Sequence, residues 1–421
     1  MAVCVATFTV GLLHLAPCAA GSWWSPPDQY ADQCWSALPY DYATGGLAER
    51  TPPLQEAAGA SRTYSPPIAV AAYGAALTTA VLSGWPDVGA SSSRPVRASA
   101  TTDDVRAQAV TYTGIVSLLM LLAALASVLA LARTHRSRPW DAMAFAGAPA
   151  LVLTGVMGWD LAAVALACAA MWAWSRGRVT WTGLLAGLGA ATAWWPVVVA
   201  AAAVVLCLRE RQPGVAGRVA AATAAGFAVV VLPALLVARE GVTRWLRTAT
   251  AVEIGDGSTW HIGTLEGGPP PQWLEPVGLA VVLLSVTALT LWAPRRPRLS
   301  QVALLALLGA LLVHGSHEPQ TVLWLLPMVA LARPRWRDLV LWQLAELLYV
   351  VAHSWHRHGF TVPDPGDADL VFTLALIGRI LAEVTLAALV VRDILRPWAD
   401  PVRAGGQDDP TGGVLEEAAV S

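Results

Sequence analysis

The chain has no lysine and few charged residues of any kind. All 27 basic residues are arginine, and charged residues make up 13% of the 421 residues. Soluble domains carry about a quarter charged residues, so this composition excludes an ordinary soluble domain and favours an integral membrane protein. The net charge of −2 gives no sign of a nucleic-acid partner.

Cysteine is also scarce, and the five cysteines fall into two settings. Cys4, Cys168 and Cys207 lie within apolar runs and are most simply packed thiols. Cys18 and Cys34 lie at the start of a polar segment, where an oxidising compartment permits a disulfide. Two free thiols are the alternative for this pair.

Apolar sequence, in contrast, is abundant: 56% of the residues are hydrophobic, and the mean hydropathy is +0.53. Measured against a bilayer core about 30 Å thick, the apolar runs predict an all-α polytopic membrane protein with about twelve transmembrane helices. The predicted spans are residues 4–17, 111–132, 140–157, 160–174, 181–193, 196–208, 218–238, 276–293, 300–315, 320–333, 338–354 and 369–394. A signal peptide is the alternative for residues 1–20, although that stretch has no basic segment.

Arginine is concentrated in alternate connections between these runs. The arginine-rich connections carry Arg133, Arg136, Arg138, Arg176, Arg178, Arg209, Arg211, Arg218, Arg295, Arg296, Arg298, Arg333, Arg335, Arg337, Arg392 and Arg396. By the positive-inside rule these connections and both termini lie on the cytoplasmic side of the cell membrane. The remaining connections then face outward.

The largest outward segment is the first loop, residues 18–110, which we expect to carry the chemistry. Within it, Ile68–Leu82 is apolar but would invert all later loops if it crossed the membrane, so we predict a helix on the outer surface. We treat residues 1–399 as one transmembrane domain. Residues 400–421 are rich in Gly and Asp and predict a disordered cytoplasmic tail.

Several outward residues have both a structural and a functional interpretation. Asp160 follows Trp159 at a predicted helix start, where it either caps the helix or lines a cavity as a carboxylate kept at membrane depth. Trp194 and Trp195 form the tip of a tight helical pair. They either belong to an interfacial aromatic belt or stack on sugar rings.

Histidines and buried charges give weaker signals. His314 and His317 have a helical spacing that could present two imidazoles to one metal, but no carboxylate or cysteine completes a recognised site; we predict no cofactor and leave a divalent metal open. Solvated or interfacial histidine is the alternative. Arg379 and Glu383 lie four residues apart and predict a mutually neutralising pair, whereas Glu346 has no obvious partner in sequence.

The order of these segments resembles the GT-C superfamily of polyprenyl-phosphate-sugar-dependent glycosyltransferases. It is most similar to the actinobacterial members of glycosyltransferase family 87, which include mannosyltransferases of cell-envelope glycolipids. The similar stretches are Cys34-Trp35-Ser36-Ala37-Leu38-Pro39, Tyr64-Ser65-Pro66-Pro67-Ile68, Trp159-Asp160-Leu161, Gly187-Leu188-Gly189-Ala190-Ala191-Thr192, Pro319-Gln320 and Ala332-Arg333-Pro334-Arg335-Trp336.

The resemblance implies a GT-C-like fold and transfer of a hexose or pentose from a polyprenyl-phosphate donor to a membrane lipid or glycan acceptor. It implies a first-loop carboxylate as general base, but Ala37 stands where the family has this Asp. We therefore predict Asp41, one helical turn later, as the base, with Asp32 as second choice. Residues predicted to bind the donor or acceptor are Arg62, Tyr64, Asp160, Trp194, Trp195, His314, His317 and Gln320.

Two other functions compete with this one. The missing base favours a non-catalytic relative that binds glycolipid or serves as a scaffold. A transporter would show internal repeats and ionisable groups at the membrane midplane, and we find no convincing repeat.

Overall fold

The structure is a computed structural model that describes residues 1–55, 64–85, 102–250, 254–262, 271–362, 369–403, 409, 411–413 and 415. Every regular element in these ranges is helical, as predicted. The longer helices are α1 (Ala2–His14), α2 (Leu38–Thr44), α3 (Pro66–Ser83), α4 (Asp103–Thr134), α5 (Asp160–Ser175), α6 (Val179–Thr192), α7 (Val197–Arg209), α8 (Pro213–Val237), α9 (Arg239–Thr250), α10 (Leu274–Trp292), α11 (Leu299–Val313), α12 (Val322–Ala332), α13 (Trp336–His358) and α14 (Leu370–Leu395). Short helical turns cover Ala16–Ala20, Ser22–Trp24, Asp28–Ala31, Pro139–Ala142, Met143–Ala146, Pro149–Thr154, Pro319–Thr321 and Pro397–Ala399.

Among the described helices, five are long and apolar enough to cross a membrane: α3, α4, α8, α10 and α14. Other predicted spans correspond to apolar helices of 10–17 residues, including α1, α5, α6, α7 and α11. The all-helical prediction is confirmed and the helices support a membrane protein. The total of about twelve spans and the GT-C-like fold stay predictions.

The predicted span over residues 140–157 is wrong as a single helix. Here the chain forms three short pieces, Pro139–Ala142, Met143–Ala146 and Pro149–Thr154. Pro149 follows Gly147 and Ala148, and proline lacks the N–H that would continue the preceding helix. The apolar composition of this stretch reflects burial: Phe145 and Leu151, for example, lie in the main core.

The predicted surface helix at residues 68–82 does form, as α3. Its length and composition also suit a membrane span, and it packs against α4 and α6. Its exposed face carries Val70, Leu77, Val81 and Leu82. The position of α3 on the outer membrane surface stays a prediction.

Local signals explain where the longest helices begin and end. Thr102 accepts a hydrogen bond from the Val105 N–H at the start of α4, and Asp369 accepts one from Phe372 N at 2.9 Å at the start of α14. At the other end of α13, Gly359 adopts φ 91°, a left-handed conformation that glycine tolerates at helix ends.

Helices α6 and α8 approach each other closely through small residues. A Cβ on Gly187 would lie 2.1 Å from the Thr223 carbonyl oxygen, and one on Gly226 would lie 2.3 Å from that of Leu184. Gly183 and Gly187 are four residues apart on α6, which is the spacing that lets membrane helices pack backbone to backbone.

The arginine-rich connections gather at one end of the helical body, which we call the arginine end. Arg209 donates to the Ala293 carbonyl at 2.7 Å, and Arg335 donates to that of Ala399 at 3.0 Å. Arg333 binds Asp338 at 2.7 Å and also pairs with the buried carboxylate of Asp393. These contacts place these connections on one side of the protein, and their orientation in the membrane stays a prediction.

The segment after residue 399 also packs at the arginine end. Asp400 is 0% exposed and binds Arg298, which is 1% exposed, through two contacts of 2.9 and 3.0 Å. Arg296 donates to the carbonyl of Leu415, a buried residue, at 2.9 Å. The described residues of this segment therefore pack against the helical body. Residues 404–408, 410, 414 and 416–421 lie outside the described residues, so the disordered tail stays a prediction.

Candidate functional site

A cavity of about 250 Å³ opens at the end of the helical body opposite the arginine end. We call it the carboxylate cavity. Its wall combines the first loop, the connections before α10 and α12, and the last turns of α13. The lining residues are Tyr30, Trp35, Met157, Gly255, Asp256, Gly257, Glu318, Pro319, Gln320, Val350, His353, Ser354 and Arg357.

Two carboxylates give the cavity its charge. Asp256 pairs with Arg357 at 3.2 Å, and His353 Nε2 lies 3.9 Å from the same carboxylate oxygen. Glu318 is exposed and accepts a hydrogen bond from Gln320 Nε2 at 2.7 Å. One carboxylate is therefore held by a cation, whereas the other is bound only by a neutral amide and is open to solvent.

Aromatic side chains form the wall facing these charges. The rings of Tyr30 and Trp35 are stacked with centroids 6.5 Å apart, and the Arg357 guanidinium lies 5.6 Å from the Tyr30 ring centroid. Flat apolar rings beside hydrogen-bonding groups suit a ligand that has both apolar C–H faces and hydroxyls.

A disulfide and three hydrogen bonds fix this part of the first loop. Cys18 and Cys34 are joined, as predicted, and the Cys34 carbonyl accepts from Trp23 Nε1 at 3.1 Å. Ser36 Oγ donates to the Val156 carbonyl at 2.7 Å, and the N–H of Ala37 donates to that of Met157 at 2.9 Å. Trp35 is thereby held between two anchored residues at the edge of the cavity.

A second cavity, of about 240 Å³, lies on the other side of the connection after α11. We call it the lateral cavity, and its lining residues are Trp194, Ala249, Glu275, Leu279, Ala310, Val313 and His314. Glu275 binds His314 Nδ1 at 2.6 Å and the N–H of Gly315 at 3.0 Å. The Gly315 carbonyl in turn accepts from Gly255 N at 2.9 Å, so residues 314–318 form a shared partition between the two cavities.

The predicted tryptophan pair takes part in a buried aromatic cluster. Trp195 stacks on Trp324 at 5.7 Å, and Trp194 meets Trp324 edge-on at 5.9 Å and His314 at the same distance. Trp324 Nε1 donates to Asp160 at 2.9 Å. These contacts bring together four of the predicted binding residues: Asp160, Trp194, Trp195 and His314. Trp194 and His314 line the lateral cavity, and Asp160 joins the cluster through Trp324.

The two predicted bases lie elsewhere. Asp41 is 1% exposed on α2 and close enough to Tyr112 of α4 for its charge to act on that phenol. Asp32 is exposed and accepts a hydrogen bond from Ser22 at 2.6 Å. Neither residue is part of the lining of the carboxylate cavity or the lateral cavity, so their assignment as bases stays a prediction.

The other predicted binding residues are scattered. Gln320 lines the carboxylate cavity. Tyr64 is partly buried against the core beside α3. His317 is 2% exposed and faces Glu383 at 3.4 Å, and burial, followed by the charge of Arg379, lowers its pKa well below the usual range. Arg62 lies outside the described residues.

The histidines that suggested a metal have separate partners. His314 binds Glu275, and His317 faces Glu383. Among the residues that the structure describes, no group of three or more His, Cys, Asp or Glu side chains is arranged to hold a metal ion.

Sequence reasoning missed the charged residues of the carboxylate cavity. Asp256 and Arg357 are 101 residues apart in sequence and meet only through folding. Glu318 directly follows the His314–His317 pair, which drew attention to the imidazoles instead. The available signal was the Gly255-Asp256-Gly257 turn, which places a carboxylate in a tight outward connection.

No protein-family model matches the chain, and no curated protein matches it in sequence. The two cavities and the groups that line them are therefore the basis on which a function is proposed.

Proposed function

We propose that this protein transfers a sugar from a polyprenyl-phosphate donor to a lipid or glycan acceptor on the outer face of the cell membrane. The observation that carries the proposal is the carboxylate cavity, in which Asp256, Glu318 and Arg357 face the stacked rings of Tyr30 and Trp35. An adjacent, mainly apolar cavity beside α10 supports it.

The carboxylate cavity fits the reacting sugar and the acceptor hydroxyl. Its volume of about 250 Å³ is below the roughly 300–1,000 Å³ of drug-sized ligand sites, so it suits a compact ring. Tyr30 and Trp35 offer a platform for the C–H face of that ring, and Arg357 offers cationic donors to a phosphate oxygen.

The lateral cavity fits the lipid part of the donor. Leu279 belongs to α10, whose apolar side chains are mostly exposed; Val281 and Leu284 are examples. Such a surface faces lipid in a membrane protein, so a polyprenyl chain can approach the lateral cavity from the bilayer. Ala249 of α9 lines this cavity, and the same helix carries Arg244 and Arg247.

In this reaction Glu318 takes the proton of the acceptor hydroxyl. The oxygen attacks the anomeric carbon, the bond from that carbon to the phosphate oxygen breaks, and polyprenyl phosphate leaves with inversion at the carbon. A general base requires hydrogen-bond reach to the hydroxyl, and Glu318 is an exposed carboxylate on the cavity wall.

The positive-inside rule gives the orientation of this reaction. The arginine end, with the packed residues after 399, faces the cytoplasm, and both cavities face outward. Val3, near the start of α1, lies beside Gly147, a short way along the chain from Arg138. The N-terminus therefore lies toward the arginine end. Both termini are then cytoplasmic, and cysteine labelling from outside tests this topology and the placement of α3.

The decisive experiment measures sugar transfer by the purified protein in liposomes with a radiolabelled polyprenyl-phosphate mannose and an envelope lipid extract. We expect Glu318→Gln to lower the rate by about 100-fold or more, because base catalysis contributes about 10²–10⁴-fold. Asp104→Asn, an exposed carboxylate at the start of α4, is the matched control and should leave the rate unchanged.

Asp41→Ala distinguishes the two assignments of the base. Loss of transfer in Asp41→Ala with normal transfer in Glu318→Gln would return the role to Asp41. Normal transfer in both variants would reject base catalysis by either residue.

One observation favours a non-catalytic glycolipid-binding protein. Ala37 replaces the carboxylate expected from the family, and Asp41 is turned toward the interior beside Tyr112. Saturable binding of polyprenyl phosphate by wild-type protein, with no turnover of polyprenyl-phosphate mannose and other donors, would support this function over transfer.

A further inference from the structure

Four polar side chains are buried against the floor of the carboxylate cavity. Glu346 comes from α13, Arg379 and Glu383 come from α14, and His317 comes from the connection between α11 and α12. The first three are 0% exposed and His317 is 2% exposed. Ionisable groups at such depth in a membrane protein are costly, and they are usually retained for a function.

The hydrogen bonds of Arg379 go mainly to neutral groups, so they compensate little of the negative charge of its two carboxylate neighbours. Its Nε lies 3.1 Å from Glu346 and 3.5 Å from Glu383, so one N–H faces two carboxyl groups. The other two nitrogens donate to neutral acceptors, the His317 carbonyl at 2.8 Å and Thr321 Oγ1 at 3.1 Å. The guanidinium therefore bridges the helices to the cavity wall but cannot fully neutralise two carboxylates.

The charges around this cluster do not balance if both acids are ionised. Burial, followed by the charge of Arg379, lowers the pKa of His317 well below its usual range, which disfavours a second cation beside the two acids. Trp342 donates an N–H to Glu346 at 3.0 Å, and the Tyr349 ring lies 4.4 Å from the Arg379 guanidinium, but neither adds a charge. One cation would thus face two anions in a dry interior, and a single added proton makes the cluster neutral.

The geometry of Glu383 points to the same conclusion. Within the described part of the chain, its Oε2 is buried without a hydrogen-bond partner. The two carboxyl groups lie close enough to interact directly. A proton between two carboxyl groups turns their repulsion into a hydrogen bond, as in acid pairs that share one proton.

We propose that Glu346 and Glu383 form a proton-binding site that holds one proton at neutral pH and is coupled to the carboxylate cavity. Gly257 of the cavity wall lies against the cluster, because a Cβ there would be 2.3 Å from Tyr349 OH and 2.1 Å from the His317 carbonyl oxygen. Asp256 in the cavity lies 3.9 Å from His353 Nε2, and the rings of His353 and Tyr349 are 5.8 Å apart. A charged ligand in the cavity therefore changes the affinity of the cluster for its proton, and the proton changes ligand affinity equally.

Infrared spectroscopy of the purified protein in liposomes tests the proton directly. The wild type should show the C=O band of a protonated carboxylic acid at neutral pH, identified by its shift on labelling glutamate with ¹³C. Glu346→Gln and Glu383→Gln should each abolish the band. Glu275→Gln, which alters the lateral cavity, should leave it. Absence of the band in the wild type, or its persistence in both cluster variants, would overturn the proposal.

If the cluster variants do not fold, the wild-type spectrum alone is sufficient. A band that shifts on glutamate labelling and disappears only at alkaline pH shows a buried protonated glutamate.

Coupling to the cavity is tested with Asp256→Asn. Removing that negative charge should move the loss of the band to lower pH, and an unchanged midpoint would rule out the coupling. Neither measurement depends on sugar transfer.

Discussion

Replacing Asp400 by alanine should destabilise the protein strongly, although the residue lies near the end of the chain. Its two carboxylate oxygens accept from Arg298 Nε at 3.0 Å and Nη2 at 2.9 Å, and Oδ2 also accepts from Gln301 Nε2 at 3.2 Å. The same guanidinium donates to the carbonyls of Leu331 and Ala332, which end α12, at 2.6 and 2.7 Å. Asp400 therefore neutralises the cation that joins α11, α12 and the residues after α14.

The expected cost follows from the burial of the pair. Arg298 is 1% exposed and Asp400 is 0% exposed, so the alanine variant leaves a buried guanidinium without its anion. Breaking a buried pair in this way costs about 3–5 kcal/mol. Arg138 and Asp141 also form a pair at the arginine end, at 3.0 Å, but their side chains are 34% and 12% exposed. Asp141→Ala is the matched control and should cost about 0–1 kcal/mol.

Unfolding in mixed detergent micelles, followed by tryptophan fluorescence, measures both free energies under the same conditions. The double variant with Arg298→Met and Asp400→Leu should recover part of the loss, because it removes the cation along with its partner. A cost for Asp400→Ala no larger than that for Asp141→Ala would refute the conclusion that Asp400 packs in the interior.

The remaining predictions concern other points of the fold. Reduction of the Cys18–Cys34 disulfide, which closes a loop of 16 residues, should lower the free energy of unfolding by about 3 kcal/mol; no change in thermal unfolding on reduction would contradict the bridge. Gly187→Ala should cost about 1–3 kcal/mol because its Cβ meets backbone, whereas Gly217→Ala on α8, where a Cβ meets nothing within 4 Å, should be neutral or stabilising in the same melt. Asp369→Ala should cost about 0.5–2 kcal/mol through loss of the α14 cap, and full helicity and stability by circular dichroism would contradict that role.

Much of the helical organisation was predictable because apolar runs are read directly from composition. The predicted runs at 160–174 and 196–208 match α5 and α7 within two residues. The run at 140–157 failed because hydropathy cannot distinguish a membrane span from short helices buried in a core. The contact of Asp400 with Arg298 was not predictable for a related reason, since a Gly- and Asp-rich composition does not reveal which buried cation a carboxylate meets.

The candidate site was predictable only in part. The resemblance named Trp194 and His314 as binding residues; their rings lie 5.9 Å apart in one aromatic cluster, and their role in binding stays a prediction. The sequence could not place Asp256 opposite Arg357, or turn Asp41 toward Tyr112, because those contacts depend on how α2, α4 and α13 pack. Glu346 likewise had no partner in sequence and acquires Arg379 from another helix.

The sequence by itself determined that this protein is helical and apolar, that its arginines occupy alternate connections, and that Cys18 and Cys34 suit a disulfide. These properties are local, since they follow from composition and spacing along the chain. Only the tertiary structure decided which carboxylates share a cavity and which share the single cation Arg379. Burial and charge balance are properties of neighbours in space, and the neighbours that matter here lie on different helices.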